Sequence, residues 1–186
     1  MPIAFRRSFA WFVLFGAAVV ASGGCSGSGS SPTAPSGSIA FAADRNAGPG
    51  SIGWRRGAGT TSTRLELELF ANQVTGVHDV AVVVSVPSSL LRVIGQRQGS
   101  FLTQDGAVAA LVATSLPPPF QGVLIIDARP DAAPGVSGSG VIYTLEIDTL
   151  AAGSGRVELV SPEARDSADQ PIAGIDWISG TATVVR

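Results

Sequence analysis

The sequence contains one cysteine, one histidine and one methionine among 186 residues, and no lysine. One cysteine cannot build a disulfide framework, and together with a single histidine it cannot build a zinc site from those two residue types. The 12 basic residues are outnumbered by 14 acidic ones, and a net charge of -2 offers no basic surface for phosphates. The composition therefore predicts no cofactor and no nucleic-acid partner.

In place of these residues the chain has 23 Gly and 12 Pro, and residues 38–186 show no sustained helical period. Residues 65–69 alternate strictly between Leu and Glu, as a half-buried strand does. In residues 141–148 the alternation predicts Tyr143 and Leu145 facing the core, with Ile142 and Thr144 facing solvent. Seven to nine strands joined by turns predict an antiparallel sandwich. The further strand candidates are residues 80–86, 90–94, 107–114, 122–128, 156–160 and 180–185.

The N-terminus has the features of an export signal. Arg6 and Arg7 precede an apolar run over residues 9–20, which predicts a signal peptide over residues 1–24. The run is shorter than the roughly 20 apolar residues that a transmembrane helix needs. The adjacent arginines also resemble a twin-arginine export signal.

A lipid anchor is the expected outcome of this export. Ser22-Gly23-Gly24-Cys25 resembles the lipobox of bacterial lipoproteins, in which the cysteine is acylated, so Cys25 is the candidate lipidation site. The alternative is cleavage after Ala21, which would leave Cys25 as a free thiol. Residues 25–37 are rich in Gly, Ser and Pro and predict a flexible linker. We expect the domain over residues 38–186 to be held at the cell envelope, or otherwise to be periplasmic or secreted.

The globular part resembles a cohesin domain. Residues 74–77, 80–93 and 99–102 are similar to the first half of that family. Residues 138–147 are similar to its late core strand after a Gly-rich turn, and residues 166–172 to its final hairpin. The resemblance implies an all-β, nine-stranded jelly-roll sandwich related to cellulose-binding modules. It also implies a dockerin partner, whose own fold needs calcium.

Catalytic and nucleotide-binding motifs are weak. Gly48-Pro49-Gly50-Ser51-Ile52-Gly53 matches G-x-G-x-x-G, but no helix pattern follows it, which favours a simple loop. His78 and Asp79 would point to opposite faces of a strand, so Asp79 is a poor partner for a catalytic histidine. Two pairs of carboxylates at i, i+2 are interpreted as the solvated side of amphipathic strands rather than a glycosidase pair: Glu66 with Glu68, and Glu146 with Asp148.

Two further clusters are candidate binding residues. Asp166 and Asp169, with Asp176 nearby, carry oxygen ligands suited to calcium, although turn hydrogen bonds explain them better. Trp54, flanked by Arg55 and Arg56 in a Gly-rich segment, has the composition of a partner-binding hot spot. The alternative is that Trp54 covers one end of the sandwich.

The leading hypothesis is therefore a non-catalytic binding module of the cell envelope that recognises a dockerin-like protein or a polysaccharide. A carbohydrate-binding module linked to polysaccharide breakdown is one alternative. It would use a flat row of aromatic side chains, drawn from Phe41, Trp54, Phe70, Phe101, Phe120, Tyr143 and Trp177. An accessory lipoprotein of envelope assembly or secretion is another.

Overall fold

The computed structural model describes residues 37–116 and 122–186. Within them the only helical segment is a short 3₁₀ turn over Phe101–Thr103, and no helix is long and apolar enough to cross a membrane. The predicted signal peptide and Cys25 lie outside the described residues, and so does nearly all of the linker. The strands are β1 (Ser38–Ala43), β2 (Ser51–Arg56), β3 (Arg64–Val77), β4 (Asp79–Ser85), β5 (Leu91–Gln98), β6 (Ala110–Leu116), β7 (Gly122–Ala128), β8 (Val136–Thr149), β9 (Gly153–Arg165), β10 (Asp176–Ile178) and β11 (Gly180–Val185).

The strands form two sheets that pack as a sandwich. The six-stranded sheet has the order β1-β11-β9-β4-β7-β6, and the five-stranded sheet has the order β10-β2-β3-β8-β5. The chain passes repeatedly between the sheets, so each sheet is assembled from strands distant in sequence. Residues 34–186 form one compact unit that contains every strand described here.

The prediction of an all-β sandwich is confirmed, but the described chain has eleven strands rather than nine. Strand β2 lies where the sequence indicated a Gly-rich loop, and β10 has only three residues. The β2–β10 pair is also parallel, unlike the other pairs described. Gly53 permits this approach, because a Cβ at that position would lie 2.6 Å from the Ile178 Cβ.

Alternation along β3 places the core between the sheets. Leu65, Leu67 and Leu69 are fully buried, and they pair with Ile147, Leu145 and Tyr143 of β8, which are also fully buried. Burying such leucine side chains contributes on the order of 2 kcal/mol each. The inward positions predicted for this part of β8 are thus confirmed for Tyr143 and Leu145.

The prediction that Ile142 and Thr144 are exposed to solvent is wrong, since both are buried. Ile142 is an extra residue in a β-bulge, because Leu69 pairs with Tyr143 while Phe70 pairs with Val141. A bulge breaks the two-residue period on which the prediction depended. Thr144 does lie on the outer side, where the longer side chains of Glu68 and Arg97 flank it on the neighbouring strands.

Candidate functional site

The candidate hot-spot residues lie on strand β2 rather than in a loop. Trp54 faces the core opposite Leu69 and is only 2% exposed, so the prediction that it forms part of a contact surface is wrong. Side chains alternate along a strand, so Arg55 faces outward where Trp54 faces inward. Arg56 follows at the exposed end of β2.

The two arginines have different surroundings. Arg55 lies over the Phe70 ring, 3.7 Å from its centroid, and its Nε donates a 2.7 Å hydrogen bond to Glu68 Oε2. Both arginines line an open surface pocket of about 570 Å³, together with Gly57, Ala58, Thr60 and Glu68. Within the described residues no carboxylate forms an ion pair with Arg56. A partner-binding role for Arg55 and Arg56 stays a prediction.

The outer face of the five-stranded sheet carries a network of charges of both signs. Arg97 contacts Glu66 and lies 3.8 Å from Glu146. Arg64 reaches Glu146 at 3.6 Å and Asp148 at 3.7 Å. With Arg55–Glu68 and Arg92–Asp148, four guanidinium groups oppose four carboxylates. The paired carboxylates singled out in the sequence are therefore neutralised, which does not favour the proton transfers of a glycosidase.

Glu66 is less solvated than the sequence indicates, since only 11% of its side chain is exposed. The loop after β2 covers it, and the Gly59 N–H donates a 3.0 Å hydrogen bond to its Oε1. Its other oxygen contacts Arg97. The expectation of a fully solvated side is wrong here, because alternation along one strand does not show which loop folds over it.

His78 and Asp79 do form a hydrogen bond, contrary to the expectation from strand geometry. His78 is the residue between β3 and β4, where the chain passes from one sheet to the other, so the alternation rule does not hold there. Its Nδ1 lies 2.9 Å from Asp79 Oδ1, and its Nε2 lies 3.1 Å from the Pro130 carbonyl oxygen. Both ring nitrogens thus have structural partners, and no described serine is hydrogen-bonded to the histidine.

The candidate calcium ligands form a turn instead. Asp166 Oδ1 accepts hydrogen bonds from the backbone N–H groups of Ala168 and Gln170, each at 2.9 Å. Asp169 has a φ of 59° and contacts Arg165 at 3.0 Å. Asp176 pairs with Arg45 elsewhere. No group of three or more potential metal ligands occurs among the residues that the structure describes.

The outer face of the six-stranded sheet has an apolar centre over β4, β7 and the adjoining parts of β6 and β9, whereas the outer face of the other sheet is charged. Strand pairing places Val160, Val83 and Leu124 side by side, and Ala81 beside Ile126 and Val112. Val112 is 54% exposed, Val160 40% and Ile126 36%. We call these six residues the apolar face: Ala81, Val83, Val112, Leu124, Ile126 and Val160.

Strand β7 shows this arrangement most clearly, because its polarity is inverted: an apolar side chain faces solvent and a charged one faces the core. Ile126 faces solvent, whereas the next residue, Asp127, is fully buried in the core. A shift of one residue would reverse both orientations, so the register places an isoleucine outside and a carboxylate inside. Natural sequences break such local rules mainly at functional sites.

Sequence reasoning missed the apolar face although a signal for it was present. An antiparallel strand with one solvated side alternates apolar and polar residues. Residues 80–84 and 123–126 are instead continuously apolar. Their burial nevertheless alternates, so half of their apolar side chains remain accessible to solvent.

The described residues do not present the row of exposed aromatic side chains that the carbohydrate hypothesis needs. Trp54, Phe101 and Tyr143 are buried in the core. Phe41, Phe70 and Trp177 are half-buried, and Phe70 is covered by Arg55. Phe120 lies outside the described residues.

Comparison with known proteins connects this fold to cohesins. No protein-family model matches the chain, and a search of curated proteins found no similar sequence. Solved structures do match, and among them is a non-cellulosomal cohesin from the hyperthermophilic archaeon Archaeoglobus fulgidus. That structure is 17% identical with a TM-score of 0.55, over 70% of this chain and 87% of the other.

Two further matches come from Acetivibrio cellulolyticus. A type II cohesin domain of its cellulosome is 14% identical with a TM-score of 0.57, covering 73% of this chain and 94% of the other. A type II cohesin solved in a complex with an X-dockerin is 9% identical with a TM-score of 0.57, covering 68% and 93%. The resemblance of fold stated from the sequence is thereby confirmed.

Proposed function

We propose that this chain is a non-catalytic protein-recognition domain of cohesin type, and that a dockerin-like partner binds to its apolar face. The observation that carries the proposal is the inverted polarity of β7, which leaves Ile126 in solvent and Asp127 in the core. Exposed apolar patches with polar surroundings mark interaction sites on soluble proteins. The cohesin solved with an X-dockerin shows that a sandwich of this fold can serve a protein partner.

The surroundings of the apolar face agree with a protein interface. Its charged neighbours lie on β9, where Glu163 pairs with Arg165 and Glu158 with Arg156. At the other margin of the apolar face, the edge strand β6 carries no charged residue. An apolar centre with polar groups at its margin is the usual anatomy of a protein–protein contact.

Two isoleucines of nearly equal exposure provide a matched test. Ile126 is 36% exposed on the apolar face, and Ile94 is 39% exposed on β5 of the other sheet. Residues 34–186 would be immobilised and used to isolate a partner from proteins of the source organism, and the dissociation constant would then be measured. We expect Ile126→Asp to weaken binding about a hundredfold, and Ile94→Asp to leave it within about twofold.

The opposite ranking of these two variants would contradict the proposal. Chelation of calcium in a parallel experiment should abolish binding if the partner is a dockerin. Incubation with insoluble cellulose and chitin tests the polysaccharide alternative. Retention on either polymer that survives Ile126→Asp would favour carbohydrate binding over protein recognition.

The proposed location is the cell envelope, through a lipid on Cys25. The support comes from the sequence alone, in which a small-residue segment ends at the single cysteine after an apolar run. A bacterial host that expresses the full chain and is fed an alkyne-labelled fatty acid should incorporate the label. We expect Cys25→Ala to abolish labelling, and a chain that remains labelled after this change would contradict lipidation at Cys25.

A further inference from the structure

A carboxylate is buried between the two sheets without a full set of partners. Asp127 lies on the inner side of β7, between Val80 of β4 and Leu111 of β6, and is fully buried. Its Oδ1 accepts a 2.6 Å hydrogen bond from Gln98 Nε2, while its Oδ2 has no hydrogen-bond partner among the described residues. Gln98 belongs to β5 of the five-stranded sheet, so this bond joins the two sheets directly.

The charged groups around Asp127 do not neutralise it. Asp79 on the adjacent β4 is also negative and interacts unfavourably with it. Arg129, which follows the last residue of β7, directs its Nη2 to Asp105 Oδ2 at 2.6 Å instead.

The other neighbouring elements contribute no counter-charge. His78 is hydrogen-bonded to Asp79 and to the Pro130 carbonyl oxygen. Strand β6 has no titratable side chain. On β5, Arg92 and Arg97 pair with carboxylates of the outer face.

Burial without a counter-ion favours the neutral form of a carboxyl group, because a charge in the core loses its hydration. We propose that Asp127 is a pH-sensitive switch that makes the folded sandwich more stable when its carboxyl group is protonated. This role does not depend on what binds the apolar face.

The direction of the pH effect follows from the two states of the chain. Burial, with a smaller effect of Asp79, raises the pKa of Asp127 from its ordinary value of 3.8 to about 6, and the Gln98 hydrogen bond opposes this rise. Between these two values the folded chain holds a proton that the unfolded chain has released. The stability should therefore fall as the pH rises through this window. A pKa difference of about two units corresponds to about a hundredfold in the folding equilibrium.

Urea unfolding of residues 34–186 tests the switch. Between pH 4.5 and pH 7.5 we expect the folding equilibrium constant to fall at least about tenfold in the unaltered chain. Asp127→Asn keeps the size of the side chain and an acceptor for Gln98 but cannot titrate. This variant should be more stable than the unaltered chain at pH 7.5 and should lose most of the pH dependence.

Asp131→Asn is the matched control, because it removes the same charge from an exposed position four residues away. It should retain the pH dependence of the unaltered chain. An Asp127→Asn variant with an unchanged pH dependence, or one less stable than the unaltered chain at pH 7.5, would overturn the proposal.

A second measurement does not depend on unfolding. The carboxyl carbon of Asp127, followed by NMR in the folded chain, should titrate with a midpoint near pH 6. Gln98→Met removes the hydrogen bond that favours the ionised form, so it should move the midpoint upward. A midpoint near the ordinary value in the unaltered chain would also overturn the proposal.

Discussion

The five-stranded sheet covers its outer face with four arginines and four carboxylates, whereas the six-stranded sheet leaves Val83, Leu124 and Ile126 on its outer side. Both sheets pack on the same core, so the fold itself does not require this difference. The charged face satisfies its own groups through internal ion pairs. No described element covers the apolar face, so only another molecule can remove its apolar side chains from water.

The comparison also separates stability from recognition. Exposed ion pairs contribute little individually, typically below about 1 kcal/mol, but Glu66 is largely buried and depends on its partner. Half-exposed apolar side chains contribute little to folding, but a partner that covers them removes their apolar surface from water. Substitutions that unpair the buried Glu66 should therefore change stability, and those on the apolar face should change binding.

The largest difference in stability is expected between substitutions at two adjacent isoleucines of β7. Ile125 is fully buried and Ile126 is 36% exposed. Ile125→Thr should cost about 3 kcal/mol, because it removes core volume and buries a hydroxyl. Ile126→Thr should cost less than about 0.5 kcal/mol, as most surface changes do. Urea denaturation of both variants measures the difference, and equal losses would show that the register of β7 is not as described.

An intermediate effect is expected on the charged face. Arg97→Ala removes the ion-pair partner of the buried Glu66 and should cost about 2 kcal/mol, because an uncompensated charge remains. Arg92→Ala is the matched control, since Arg92 is 63% exposed and, among the described residues, pairs only with Asp148. This control should cost well below about 1 kcal/mol. If the two variants were equally stable, the buried Glu66 would not depend on Arg97 for its contribution to stability.

The smallest effect should come from salt. At 1 M salt the Debye length is roughly 3 Å, so exposed charges that lie farther apart than this interact only weakly. We expect a small loss of stability from the charged face between low salt and 1 M NaCl, and a change of less than about threefold in partner affinity at the apolar face. Calorimetric titration at both salt concentrations measures the affinity. A loss of tenfold or more would indicate that charged groups, rather than the apolar face, dominate recognition.

The strands with regular alternation could be predicted from the sequence, and the irregular positions could not. The Leu-Glu alternation of residues 65–69 locates β3 correctly. The prediction failed at Ile142 because a bulge shifts the register. It failed at Trp54 because β2 has only six residues, includes Gly53 and is flanked by Gly50 and Gly57. Such features depend on which strands pair, and pairing is set by distant parts of the chain.

The candidate site was hidden for a related reason. Residues 80–84 and 123–126 are apolar at every position, so the sequence gives no indication of which side chains remain exposed. Only the pairing of β4 with β7 and β9 shows that Ala81, Val83 and Ile126 share one side. The resemblance to cohesins indicated the sandwich correctly but did not identify the face.

The most direct test of the central claim is the footprint of the isolated partner on residues 34–186, measured by amide and side-chain NMR in the free and bound states. We predict that the largest changes fall on the methyl groups of Val83, Val112, Leu124, Ile126 and Val160. Resonances around Arg64, Arg97 and Glu146 of the charged face should remain unchanged. A footprint centred on the charged face, with the methyl groups of the apolar face unaffected, would contradict the account.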